Sequence, residues 1–185
     1  MRGPGQPGAG TAGRPLSGPV HVGSLRGPVI LDTIWRALRA RGLEAHLLYG
    51  VDDLDPMDAQ ALLTPDAIDR EMGRPLAHVP DPAGDCHASY ARHFAGIFIE
   101  TFKGLGIVPE RYYWMSDIYP TGQMDGFIRT ALDRDQVVRD IYRRVANVQH
   151  SGAWHPINVI CENCGKSGTT TVTKLTGKRV VSDGR

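Results

Sequence analysis

The 185-residue chain has no long hydrophobic run, little net charge and few cysteines. No apolar segment reaches the roughly 18 residues that cross a bilayer, so no membrane contact is expected, and the N-terminus lacks the apolar core of a secretory signal. A formal net charge of +1 gives no general attraction for nucleic acid. Three cysteines, two of them in one C-x-x-C, form no disulfide framework and favour a reducing, cytoplasmic compartment.

Composition divides the chain into three parts. Residues 1–15 are almost entirely Gly, Pro, Ala, Arg, Gln and Thr, which predicts a disordered leader with no strand in it. Residues 16–150 mix helical and strand patterns and predict an α/β domain. Residues 151–185 hold a C-x-x-C and a Thr- and Val-rich segment, which predict a partial zinc-ribbon-like insertion.

Apolar periodicity places the elements of the α/β part. Helices are expected over residues 29–41, 90–105 and 124–145, strands over 45–51 and 112–115, and a loop over 57–80. The apolar positions of the first helix are Ile30, Ile34, Ala37 and Leu38, and those of the second are Phe94, Ile97, Phe98, Phe102 and Leu105. In the third helix, the apolar residues expected to face inward are Phe127, Ile128, Leu132, Val138 and Ile141.

The first candidate site is the segment L-S-G-P-V-H-V-G-S-L-R at residues 16–26, just before the first helix. Gly18 and Gly23 let the backbone approach a phosphate, and the N–H groups at the start of the helix face the anion. His21 supplies a further donor, and the small Ser24 follows. A Gly/Pro turn with one surface histidine explains the same residues as well, because short glycine-rich motifs match often.

Acidic residues follow the strand predicted at residues 45–51. Ligands collect beyond the carboxyl ends of parallel strands, so Asp52, Asp53 and Asp55 lie where a cationic substrate group or Mg²⁺ could be held. For any single aspartate, a turn that caps the next element is the more common explanation.

One thiol, two imidazoles and two carboxylates lie between Asp81 and His93, and these are ligand types of zinc. Cys86 and His93 are seven residues apart, about 10 Å along a continuous helix, which is too far for one ion. The site closes only if residues 81–87 form a loop that folds back on a helix carrying His93. The alternative is a buried cysteine at a helix start with two half-exposed histidines.

A second cysteine motif, C-E-N-C-G-K, begins at Cys161 and includes Cys164. It matches one half of a zinc ribbon, in which a glycine turns backbone N–H groups toward the thiolates. No second C-x-x-C follows, and His150 and His155 are the nearby substitutes. A redox C-x-x-C is the competing interpretation, but that motif belongs at a helix start after a strand.

The order of these motifs resembles the N-terminal part of class I (archaeal-type) lysyl-tRNA synthetase. The segment at residues 16–26 is similar to the HIGH signature of class I aminoacyl-tRNA synthetases, with Ser24 in place of the second histidine. The motif S-Y-A-R-H-F at residues 89–94 and the C-E-N-C-G-K motif make the resemblance specific, and it runs from about Gly13 to the last residues.

The resemblance implies an incomplete Rossmann-like (HUP-type) catalytic domain that binds ATP with Mg²⁺. The ATP site would consist of Gly18, His21, Gly23 and Ser24, the last three also catalytic. The activity implied is formation of lysyl-adenylate and transfer of lysine to tRNA(Lys). Asp52 and Asp53 would bind the substrate.

The resemblance also implies metal ligands. One Zn²⁺ would be held by Asp81, Cys86, His87 and His93, with Asp85 able to replace Asp81. Cys161 and Cys164 would form half of a second zinc site.

The resemblance also defines what the 185 residues do not include. The family's KMSKS loop and anticodon-binding domain lie further along, so this chain alone is expected to be inactive. Residues 174–178, K-L-T-G-K, are interpreted as a hairpin turn and not as a KMSKS loop. A non-catalytic remnant or paralogue that binds zinc and nucleotide is the alternative function.

Overall fold

A computed structural model describes residues 8–15, 21–58, 64–84, 86–176 and 179–184, with backbone alone for 8–15 and 174–184. The chain forms two compact units, residues 1–117 and 118–185. Across the described ranges, no helix combines the length and the apolar character needed to span a membrane.

The first unit is built on a parallel sheet of three strands in the order β1-β2-β3. The strands are β1 (Gly8–Pro15), β2 (Ala45–Asp52) and β3 (Arg111–Trp114). β1 and β2 pair over their whole length, from Gly8 opposite Ala45 to Pro15 opposite Asp52. All three strands therefore end at the same edge of the sheet, which is where ligands bind in open α/β sheets.

Four helices belong to this unit: α1 (Arg26–Ala40), α2 (Pro65–Glu71), α3 (Tyr90–Gly104) and α4 (Met115–Ile118), which runs up to the boundary between the units. A 3₁₀ turn at Val22–Leu25 leads into α1, and a second occupies Leu76–His78. Gly42, with φ +71°, takes the left-handed conformation just after α1. The indole N–H of Trp35 donates to the Ala45 carbonyl at 3.1 Å and joins α1 to the start of β2.

The core lies between α3 and one face of β2. Alternate residues of β2 are buried, and three phenylalanines at four-residue spacing on α3 pack against them. The rings of Tyr49 and Phe102 have centroids 4.9 Å apart, and Phe98 lies 5.5 Å from Phe102. This contact fixes α3, and with it the residues at its N-terminal end.

The second unit contains α5 (Asp125–Asp133), α6 (Asp135–Ile141) and a π-helical turn at Tyr142–Ala146. A 3₁₀ turn at Tyr119–Thr121 precedes them. Strands β4 (Thr170–Thr176) and β5 (Arg179–Gly184) pair antiparallel, with Thr176 opposite Arg179; residues 177 and 178 of the turn expected there lie outside the described residues.

The expectation of a disordered leader without a strand is wrong for residues 8–15, which form β1. Glycine, alanine and threonine give no apolar alternation, so the local pattern carries no strand signal there. Pairing with β2 supplies the backbone hydrogen bonds, and tertiary context overrides the weak propensity. Residues 1–7 lie outside the described ranges.

The α/β class and the helices at α1 and α3 are confirmed, but other expectations were wrong. The segment 57–80 contains α2, for which Thr64 as N-cap and Pro65 at the first position were available signals. The helix expected over residues 124–145 is interrupted at Arg134.

Several apolar residues at helical spacing are exposed, and they include Phe127 and Ile141, which were expected to face inward. Ile97 is 53% exposed because α3 buries its phenylalanine face, and Phe127 is 71% exposed on α5, none of whose residues is buried. The remaining apolar side chains of this kind are Ile30, Ile34, Leu105 and Ile141.

Phe102 and Ile97 provide a matched test of this packing. Phe102 is fully buried, so Phe102→Ala is expected to lower the free energy of unfolding by about 3–5 kcal/mol through lost contacts and a cavity. Ile97→Ala on the same helix should change it by no more than about 0.5 kcal/mol. Urea unfolding followed by circular dichroism measures both, and equal losses would contradict the assigned face of α3.

Candidate functional site

A loop between Pro80 and Ser89 is closed at its base and folds back on α3. The N–H of Tyr90 donates to the Val79 carbonyl at 2.8 Å, which joins the two ends of the loop. Inside it, the Asp81 carboxylate accepts the N–H groups of Ala83 at 2.9 Å and His87 at 2.6 Å. Asp81 therefore shapes the turn that brings the loop to α3, as the sequence required.

The structure brings together the four side chains of the predicted metal site. The ligand atoms of Asp81, Cys86, His87 and His93 all lie within 4.8 Å of one another. Cys86 Sγ is 3.0 Å from Asp81 Oδ2, 3.1 Å from His87 Nδ1 and 3.4 Å from His93 Nδ1. His93 Nδ1 is 3.0 Å from Asp81 Oδ1. Asp85, the alternative carboxylate, lies outside the described residues.

These separations, of 3.0 to 3.4 Å for the four pairs given above, are close to the spacing of ligands around a tetrahedral ion. Zinc bonds of about 2.3 Å to sulfur and 2.0 Å to nitrogen, at tetrahedral angles, put neighbouring ligand atoms about 3.3–3.6 Å apart. The four side chains, which we call the loop cluster, comprise one sulfur, two imidazole nitrogens and one carboxylate. The Asp81 side chain is only 2% exposed, so its charge faces the cluster and not the solvent.

Hydrogen bonds shift the pKa values of Asp81 and Cys86 in the loop cluster. Burial raises the pKa of Asp81, but hydrogen bonds from the Cys86 thiol and from the Ala83 and His87 N–H groups, with the charge of His93, outweigh it and lower this pKa to about 2. The thiol of Cys86 donates to Asp81, and this bond, followed by burial, raises the pKa of Cys86. The carboxylate is thus anionic and holds the thiol proton that a cation would displace.

Gly96 supports the cluster from α3, and the sequence analysis did not single it out. A Cβ at this position would lie 3.2 Å from His87 Nε2, so the absence of a side chain leaves room for the imidazole. The His87 and His93 rings meet edge to face with centroids 5.1 Å apart. The available signal was spacing, since Gly96 follows His93 by three residues and shares its helix face.

His21 lies at the start of the 3₁₀ turn that leads into α1. Its Nδ1 accepts the Gly23 N–H at 3.1 Å, and its carbonyl accepts the Ser24 N–H at 2.9 Å. A Cβ on Gly23 would stand 2.8 Å from His21 Cε1, so glycine permits this ring position. Gly18 lies outside the described residues.

A cavity of about 540 Å³ adjoins His21. Its other walls are mainly apolar and come from the 3₁₀ turn and from α3; they are Val22, Leu25, Phe94, Ile97, Phe98 and Thr101. His21, the 3₁₀ turn and α3 thus share a concave surface in the first unit.

The aspartates at and just after the end of β2 have different roles. Asp53 is 1% exposed, and its carboxylate accepts both the N–H of Ser116 at 2.9 Å and the Ser116 hydroxyl. It therefore joins the end of β2 to the residues after β3. Asp52 is partly exposed, and burial, followed by the charge of Asp53, raises its pKa. Burial and the charge of Asp52 likewise raise the pKa of Asp55.

In the second unit, Cys161 and Cys164 lie in a tight turn. The Cys161 N–H donates to the Lys166 carbonyl at 3.0 Å, the Gly165 N–H donates to the Cys161 carbonyl at 2.8 Å, and Gly165 has φ +69°. The Thr169 hydroxyl and then the Lys166 N–H lower the pKa of Cys164.

The two substitute histidines do not join these cysteines. Within the described residues, no group of three or more possible ligands includes Cys161 or Cys164. His150 stacks on Trp154 at 3.9 Å, and His155 Nδ1 lies 3.1 Å from Asp135 Oδ2.

Asp53 and Asp52 can be separated by matched substitutions. Asp53→Asn leaves one acceptor oxygen where two are used, so we expect a loss of about 1–3 kcal/mol in the free energy of unfolding. Asp52→Asn removes a charge disfavoured by burial and should lower stability by no more than about 0.5 kcal/mol. Urea unfolding at neutral pH compares them, and a larger loss from Asp52→Asn would reverse the assignment.

Similarity to known proteins shows the family to which the chain belongs. A family model described as tRNA synthetases class I (K) matches residues 9–182. The lysine–tRNA ligase of Archaeoglobus fulgidus is 38% identical over 161 residues, 86% of this chain and 32% of that protein. Those of Methanosarcina barkeri and Methanocaldococcus jannaschii are 35% and 33% identical, over 85% and 84% of the chain and 29% of each relative. The chain thus spans about three-tenths of these relatives' length, and it belongs to the tRNA synthetases of class I for lysine.

Proposed function

We propose that this chain is the N-terminal part of a lysine–tRNA ligase, which forms lysyl-adenylate from lysine and ATP and transfers the lysyl group to tRNA(Lys). The observation that carries the proposal is the match over 86% of the chain to a protein named lysine–tRNA ligase. The parallel sheet in the order β1-β2-β3 supports a Rossmann-like, HUP-type domain. The three free thiols suit a reducing cytoplasm.

The HIGH-like segment is the proposed ATP site. His21 and Gly23 lie at the N-terminal end of a turn continuous with α1, where the helix dipole favours phosphate. The His21 ring is exposed, and the adjoining cavity offers an apolar surface to the uncharged part of a ligand. The chemistry is in-line attack of the lysine carboxylate on the α-phosphorus with loss of pyrophosphate, so these residues act by positioning and charge stabilisation. Gly18 and Ser24 belong to the same proposed site.

The aspartates at and just after the end of β2 are the proposed binding site for a positively charged group, either the lysine ammonium or Mg²⁺. Because Ser116 already occupies the Asp53 carboxylate, Asp52 is the better candidate to contact the lysine ammonium, with Asp53 holding the strand ends in place. A cation beside Asp52 would favour the carboxylate that burial disfavours. Mg²⁺, which accompanies ATP, also prefers carboxylate oxygens such as those of Asp52 and Asp55.

The loop cluster is the proposed zinc site. Its four ligand atoms converge within 4.8 Å of one another, and the donor set of one thiolate, two imidazoles and one carboxylate is one that zinc accepts. When bound, the ion would act as a structural cross-link between the loop and α3. Asp81, Cys86, His87 and His93 would hold it, and Cys161 and Cys164 would be half of a second, weaker site.

Metal analysis of the purified chain tests the zinc assignment. After mild chelation, which should strip the weaker cysteine pair, we expect about one zinc per chain. Cys86→Ser should lose this tightly held zinc and have a lower melting temperature. The matched Cys164→Ser should keep the zinc and the melting temperature of the unaltered chain. A chain without zinc, or a Cys86→Ser variant that keeps it, would refute the site.

Activity requires a longer protein, because the relatives are about three times as long as the matched segment. A chimera that continues this chain with the rest of the Archaeoglobus fulgidus ligase should catalyse lysine-dependent pyrophosphate exchange and prefer lysine to arginine and ornithine. Its His21→Ala variant should lose about 10²–10³-fold in kcat. The matched His46→Ala variant, with its substitution at the amino end of β2, should keep the kcat of the unaltered chimera. Failure with every amino acid would favour the remnant interpretation.

A further inference from the structure

Arg92, in the first turn of α3, makes two contacts that do not involve the loop cluster. Its guanidinium carbon lies 3.7 Å from the centroid of the Trp114 ring. Its Nη2 donates to both carboxylate oxygens of Asp117, at 3.2 and 3.0 Å. Arginine suits this position because a planar guanidinium can stack on a ring and donate at its edge at the same time.

The next residue, His93, faces the loop cluster. Successive helical residues point about 100° apart, so one turn of α3 can present one side chain to the loop and the other to β3. His93 Nδ1 lies 3.0 Å from Asp81 Oδ1. The N–H of His93 also donates to the Ser89 carbonyl at 3.0 Å, within the same turn. A shift of this turn therefore moves Arg92 and His93 together.

The far side of the Arg92 contacts is the carboxyl edge of the sheet. Trp114 is the last residue of β3, and Ser116 and Asp117 follow at once. Ser116 donates its N–H and its hydroxyl to Asp53, which follows β2. An unbroken series of contacts thus leads from the loop, through the first turn of α3, to the ends of both strands.

We propose that Arg92 is a positioning residue that couples the loop cluster to the carboxyl edge of the sheet. It holds Trp114 and Asp117 in place, and a metal ion bound by the loop fixes the first turn of α3 and thereby tightens these contacts. The inference rests on the proposed zinc site and adds to it a role in ordering the edge where substrates are proposed to bind. Coupling of this kind is reciprocal, so the Arg92 contacts also strengthen metal binding.

The coupling can be observed by ¹⁹F NMR of the chain labelled with 5-fluorotryptophan. The chain has three tryptophans, and Trp114→Phe assigns the resonance of interest. One equivalent of Zn²⁺ added to metal-free protein should shift the Trp114 resonance, in step with binding measured by calorimetry. In Cys86→Ser the same addition should leave this resonance unchanged.

Arg92→Met keeps the length of the side chain and removes its guanidinium. We expect zinc still to bind, about fivefold or more weakly, while the Trp114 resonance no longer responds. Arg92→Lys, which keeps the charge but not the planar fork, should behave in the same way. The matched Arg41→Met, at the exposed end of α1, should behave like the unaltered chain.

The outcomes separate the two proposals. If the unaltered chain binds no zinc through the loop cluster, the zinc site and the coupling both fail. If zinc binds and the Trp114 resonance does not move, or if Arg92→Met retains both affinity and shift, the coupling alone is overturned. If Arg92→Met does not fold, Arg92→Lys gives the same comparison.

Discussion

The packing of α3 on β2 is the interaction on which the first unit depends. The phenylalanine stripe of α3 fills the space over the buried face of β2, and this contact sets the position of the helix. The N-terminal end of α3 in turn positions the loop cluster and Arg92. The loop of Asp81 closes on that end through Tyr90 and His93, and Arg92 reaches from it to the end of β3.

The sequence predicted the features that are local in character. Helical spacing located α1 and α3. Ligand chemistry pointed to a thiol, two imidazoles and two carboxylates between Asp81 and His93, and the family resemblance implied the set of Asp81, Cys86, His87 and His93. The requirement that a seven-residue separation be closed by a loop was also sufficient to predict how the chain turns there. The helices and the folded-back loop are confirmed, because their prediction depends on residue type and on distances along the chain, whereas the metal ligands stay a prediction.

The features that were not predicted correctly depend on contacts with residues that are distant in sequence. β1 is a strand because β2 lies beside it, and its glycines and alanines carry no sign of this. Ile97 is exposed although its spacing fits an apolar stripe, because only the phenylalanine side of α3 meets β2. Arg92 matters through its contact with Trp114, which lies 22 residues away and cannot be inferred without the fold. For Gly96, spacing indicates the helix face shared with His93 but not the approach of His87.

The central claim is that the loop cluster is a zinc site with one sulfur ligand, and X-ray absorption at the zinc edge tests it most directly. A Cys161→Ser, Cys164→Ser chain loaded with one equivalent of zinc removes the second candidate site. We predict a four-coordinate ion with one sulfur at about 2.3 Å and three nitrogen or oxygen ligands at about 2.0 Å. A first shell without sulfur, or six oxygen and nitrogen ligands, would contradict the assignment.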